Sequence, residues 1–127
     1  MTAIDNNRIL ALRPEIETEP AFTVSEQFQN QTLRPVLKMQ NDLLIGAFRQ
    51  YISRHKDTFR KLSVAEQQLF VAKSLRQDHQ FRHFVRGIIA GHFTETEWRQ
   101  FVDNEDEINK RMMKLAEQRI ISQLTVI

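Results

Sequence analysis

Residues 63–91 read SVAEQQLFVAKSLRQDHQFRHFVRGIIAG, and this stretch decides the fold. Ser63 and Glu66 have the spacing of a capping box, in which each side chain accepts a hydrogen bond from the other residue's backbone N–H. Leu69, Phe70, Ala72 and Leu75 then recur at threes and fours, which predicts a helix to about Arg76 with these four turned inward. Asp78 is a second N-cap signal. Phe81, Phe84, Val85, Ile88 and Ile89 mark the next helix, and Gly91 is expected to close it in a left-handed turn. Gly87 inside that helix costs about 1 kcal/mol relative to Ala, so a close neighbour is expected there.

The same grammar continues in both directions. Thr94 and Glu97 repeat the capping box before a short helix carrying Trp98, Phe101 and Val102. Asp103 or Asn104 then caps a last helix. Glu105, Asp106 and Glu107 fill its first turn, where the helix dipole favours negative charge. Ile108, Met112, Leu115, Ile120 and Leu124 give it an apolar face, and the apolar tail ending at Ile127 is expected to be docked.

Upstream, helix signals begin at Thr23 or Ser25. Pro35 leaves two readings: the first turn of a new helix capped by Thr32, or a kink in one long helix. After it, Val36, Leu37, Leu43, Leu44, Ala47, Phe48, Tyr51 and Ile52 trace one face of a helix to about His55. Phe59 and Leu62 fall in a connector.

Residues 1–22 read as an arm, extended or partly disordered. Pro14 and Pro20 interrupt helices, Glu15, Glu17 and Glu19 alternate with Ile16 and Thr18, and Ile9, Leu10 and Leu12 are the expected anchors. Residues 23–127 form a single domain. The expected fold is all-α, an irregular bundle of about five helices with an extended N-terminal arm. With three Gly and three Pro in 127 residues, the chain lacks the turns that an all-β fold requires.

Composition narrows the chemistry. There is no Cys, which removes disulfides, thiolate metal sites and Cys nucleophiles. Residues 1–19 hold no apolar run of signal-peptide length, and no apolar stretch is long enough to span a bilayer, so a cytoplasmic protein is expected. Charge is uneven. Residues 1–48 and 87–127 each carry a net −2, while residues 49–86 carry +6.

Four constellations bear on function. His79 and His83 share a helix face, and His92 follows, with Glu95 and Glu97 near it in sequence. That set is a candidate metal site, although Gln80 stands where an H-E-x-x-H motif would have Glu, and neighbouring Arg residues oppose a cation. Lys73 and Arg76, three apart, and Arg82 and Arg86, four apart, form a candidate anion-binding surface, weighed against a solvated basic face or neutralisation by the acidic last helix. Glu95, Glu97, Asp103, Glu105, Asp106 and Glu107 supply carboxylates, but their place at helix starts is explained by capping. Gln27, Gln29, Asn30, Gln31, Gln40 and Asn41 make an amide-rich face. No Gly-rich phosphate loop and no G-x-S-x-G is present, no catalytic residue is indicated, and nothing calls for a cofactor.

The run SEQFQNQTLRPVLKMQNDLL at 25–44, with GHFTETEW at 91–98 and NKR at 109–111, resembles a group of short bacterial helical proteins, some of which carry the label glyoxalase. The resemblance implies a helical fold and no catalytic residue. Enzymes like glyoxalase I are βαβββ folds with His and Glu metal ligands on strands, and this chain has no matching motif.

Three readings follow. The first is a non-catalytic association module forming a homodimer. It rests on the broad apolar arcs of the 33–55 helix (Met39, Leu43, Leu44, Ile45, Phe48, Ile52) and the last helix (Met112–Met113, Ile120–Ile121). The second is a binder of nucleic acid or a phosphorylated ligand through the basic 49–86 segment. The third is a metalloenzyme built on the three histidines.

Overall fold

The computed structural model describes residues 6–55 and 58–127, and these residues form helices without a strand. The elements are α1 (Asn6–Ala11), α2 (Val24–Phe28), a π-helical segment (Gln29–Leu33), α3 (Arg34–Met39), α4 (Asn41–Arg54), a 3₁₀ turn (Thr58–Lys61), α5 (Val64–Gln77), α6 (His79–Ala90), α7 (Glu95–Asp103), α8 (Glu105–Ile121) and a final 3₁₀ turn (Leu124–Val126).

The caps fall where the sequence places them. Both reciprocal boxes form, Ser63 with Glu66 and Thr94 with Glu97, and Asp78 Oδ1 accepts the Phe81 N–H at 3.2 Å. Asn104 occupies the N-cap of α8. Thr23 caps α2 by accepting the Glu26 N–H. From there the chain stays helical through Pro35 to Met39, so Pro35 lies within one helical run and Thr32 is no cap. The local device is the π turn, in which the Arg34 N–H reaches back to the Gln29 carbonyl, five residues earlier.

The single helix expected to run to His55 breaks at Gln40, which leaves the helical region (φ −97°, ψ 16°) between α3 and α4. The arm also differs from its expectation. Asn6–Ala11 is helical, and only the strap from 14 to 21 is irregular; residues 1–5 lie outside the described residues. Of the expected anchors, Leu10 and Leu12 are exposed and Ile9 is half-buried.

The core gathers around α8, which packs on α2, the π segment, α4, α5, α6 and α7. Ile108, Met112, Met113, Leu115, Ala116 and Ile120 are all buried along it. Phe48 of α4 centres an aromatic cluster, edge-on to Phe59 at 5.3 Å, while Tyr51 stacks on Phe81 at 4.1 Å. Such pairs add about 0.5–1.5 kcal/mol each beyond their burial.

Two inward expectations on α5 and α6 fail. Leu69 is 69% exposed and Phe84 55% exposed, because Val71 and Val85 take the core-facing positions on α5 and α6. Gly91 ends α6 at φ −61°, not in a left-handed turn. Its missing side chain matters for space instead, since a Cβ there would lie 2.9 Å from the Gly87 carbonyl oxygen. Gly87 itself faces open space and admits no close neighbour. The tail docks as expected: Leu124 and Ile127 pack on the core, and the Val126 and Ile127 carbonyls accept from Arg49 and Arg60.

Candidate phosphate-binding groove

The four basic candidates separate in three dimensions. Arg86 is spent on structure. Its Nη2 lies 3.1 Å from Glu105 Oε1, and its guanidinium lies 5.0 Å from the Phe101 ring centre. Neutralisation by the acidic start of α8 is therefore real, but local to this end. Lys73 stands by a separate cleft with Tyr51 and His79. Arg76 and Arg82 do come together. The Asp78 cap turns the chain so that α6 packs against α5, and both arginines line one groove of about 430 Å³.

The sequence reading missed the other half of this site. Lys110 and Lys114, one turn apart on α8, complete the groove, with Leu75 and Met113 in its floor and Glu117 as its one carboxylate. Their four-residue spacing on the face opposite Ile108 and Met112 was the available signal, masked by the acidic residues at the start of α8. Among the described residues, no carboxylate forms an ion pair with Arg76, Arg82, Lys110 or Lys114. Four cations around an apolar floor suit a polyanion, because the low-dielectric wall strengthens each charge–phosphate contact.

The histidines do not converge. His79 and His83 lie exposed on α6, whereas His92 sits beyond its end with Nε2 against the Gln40 side-chain amide. His92 lies two residues past the last residue of α6, off the helix that carries His79 and His83. Among the described residues, no three His, Asp, Glu or Cys side chains are placed to hold a metal ion.

The carboxylates mostly cap, as expected, but Glu97 does more. Its Oε2 and Oε1 take Arg13 Nη1 and Nη2 at 2.5 and 2.7 Å, the Thr32 hydroxyl donates to Oε2 at 2.7 Å, and the Thr94 N–H donates to Oε1 at 2.8 Å. Arg13 Nη2 also donates to the His92 carbonyl at 2.5 Å. Burial by itself would raise the Glu97 carboxyl, but the Arg13, Thr94 and Thr32 donors outweigh it and hold the group below its ordinary range. This clasp fastens the strap to the body, with both side chains nearly inaccessible. The amide-rich face is likewise a set of fasteners: Asn41 exchanges hydrogen bonds with Gln123, and Gln29 accepts from Arg111 at 3.0 Å.

The apolar arcs that suggested a second copy are used within one chain. Met112, Met113 and Ile120 of α8 and Leu44, Ile45, Phe48 and Ile52 of α4 are buried, and Leu43 alone of the α4 set is well exposed. Among the described residues, no helix is long and apolar enough to cross a membrane. No protein-family model, curated protein or solved structure matches the chain.

Proposed function

We propose that this protein is a non-catalytic binder of a phosphate-bearing partner, held in the groove between α5, α6 and α8. The observation that carries the reading is the arrival of Lys110 and Lys114 from α8 beside Arg76 and Arg82, without paired carboxylates. Segment charge alone pointed to residues 49–86, but of the four candidates there Lys73 lies by another cleft and Arg86 is neutralised by Glu105. The association reading ranks second here, because most residues of its apolar arcs are buried within one chain.

The test is calorimetric titration with inorganic triphosphate. Binding is expected, and replacing both Arg76→Gln and Arg82→Gln should weaken it about tenfold or more, since each lost charge-assisted hydrogen bond exceeds about 1 kcal/mol. Equal affinity of the double variant and the parent, with unchanged melting, would remove this groove as the site.

A further inference from the structure

Lys110 and Lys114 line two grooves. On the other side of α8, a second groove of about 450 Å³ runs between these lysines and Arg34, with Arg111 beside them. Arg34 in turn borders a third depression of about 250 Å³ that ends at Arg119 and has no carboxylate on its wall. The depressions share walls, so the cations form one track across α8.

Not all of that charge is spare. Arg111 Nε lies 3.1 Å from Glu107 Oε1 and is compensated. Arg34 and Arg119 are different. Arg34 Nε donates to Asn30 Oδ1 and Arg119 Nη1 to Asn41 Oδ1, both at 3.3 Å, so each is held by a neutral amide. Neither forms an ion pair among the described residues, and they repel one another. Burial first, and the Arg34 charge second, push the Arg119 guanidinium below its ordinary value. Two half-buried guanidiniums side by side are stabilised by any anion that settles between them.

The continuity of the track selects the ligand. Lys110 and Arg119 are nine residues apart on α8, about half a turn round the helix, so the track wraps over α8 from one side to the other. A small phosphorylated molecule fills one groove, and only a chain of phosphates uses all three. None of the three depressions is lined by Phe, Tyr or Trp, so the track lacks the stacking platform on which single strands are usually held. We infer that the track from Arg76 and Arg82, over Lys110 and Lys114, to Arg34 and Arg119 binds the phosphate backbone of double-stranded nucleic acid without reading its bases. This rests on the phosphate-binding reading of the first groove.

The experiment is fluorescence anisotropy with a labelled duplex of about 20 base pairs at several salt concentrations, beside the triphosphate titration. For the parent, log affinity should fall with log salt at a slope of about −4 to −5, equally for A·T-rich and G·C-rich duplexes. Replacing Arg34→Gln and Arg119→Gln should reduce that slope by about two and leave triphosphate affinity unchanged, while Arg34→Lys with Arg119→Lys should restore it. If the glutamine variant does not fold, Gln118→Glu serves. This exposed position lines the second and third depressions and not the first, and it should weaken duplex binding alone.

An unchanged slope in the Arg34/Arg119 variant, with a reduced one in the Arg76/Arg82 variant, would overturn the track and leave the first groove standing. Capture of anionic phospholipid vesicles without duplex binding would overturn the nucleic-acid assignment. Failure to bind both triphosphate and duplex would overturn this inference and the proposed function together.

Discussion

Arg13 and Glu97 lie 84 residues apart and meet in a buried, bidentate ion pair. Such a pair adds little when intact, because desolvation offsets the attraction, but breaking it strands a charge. Arg13→Ala is therefore expected to cost about 3–5 kcal/mol in denaturant unfolding. Arg13→Met combined with Glu97→Gln should cost less than the two single changes added, since glutamine keeps the capping box and carries no charge. Additive costs would show that the two side chains act independently.

The sign of the acid dependence follows from the same contacts. Glu97 is held below its ordinary range when folded, so its contribution is present above the unfolded value of about 4.3 and disappears as pH falls through and below it. Asp78 behaves alike, held down first by the Phe81 N–H and then by the Tyr51 hydroxyl. Melting temperature should drop on acidification, and Glu97→Gln should flatten that drop. An equally steep profile in the variant would place the acid sensitivity elsewhere.

At the scale of elements, the helices α4 and α6 each carry a glycine with nothing within 4 Å of where a Cβ would be, Gly46 and Gly87. Neither has a positive φ or a crowded neighbour to require it, so each costs backbone entropy without return. Gly46→Ala and Gly87→Ala should each raise stability by about 1 kcal/mol in chemical denaturation. Gly91→Ala should lower it, because the new methyl meets the Gly87 carbonyl. A destabilised Gly87→Ala would mean that α6 is approached there by something the isolated chain does not contain. The π turn at 29–33 belongs to this scale too. It lets one helical run absorb Pro35 while Thr32 is buried against Glu97 and Gln29 faces Arg111.

For the whole molecule, α8 is at once the centre of the core and the bridge between basic grooves. Its apolar arc is engaged by the other helices, Lys110 and Lys114 stand on the opposite face, and Arg119 reaches the third depression from the far side. The chain alone should therefore have the 15.1 kDa mass of a monomer by light scattering, in low and high salt. A salt-resistant dimer would return weight to the association reading and to exposed Trp98 and Val102 of α7. Saturating triphosphate should also raise the melting temperature. At one hundred times the dissociation constant, the gain is about 2.7 kcal/mol.

The sequence by itself determined the helical class, most of the caps and the segment of excess positive charge. Capping and helical periodicity act between residues a few positions apart, where spacing specifies geometry. It determined neither the Gln40 break nor which apolar residues of α5 and α6 face inward, because neighbouring helices choose among several near-equivalent arcs. Only the tertiary structure joined Arg13 to Glu97, removed Arg86 from the basic set and added Lys110 and Lys114 to it. Those pairings span tens of residues, and charge acts through distance in space, on which spacing along the chain is silent.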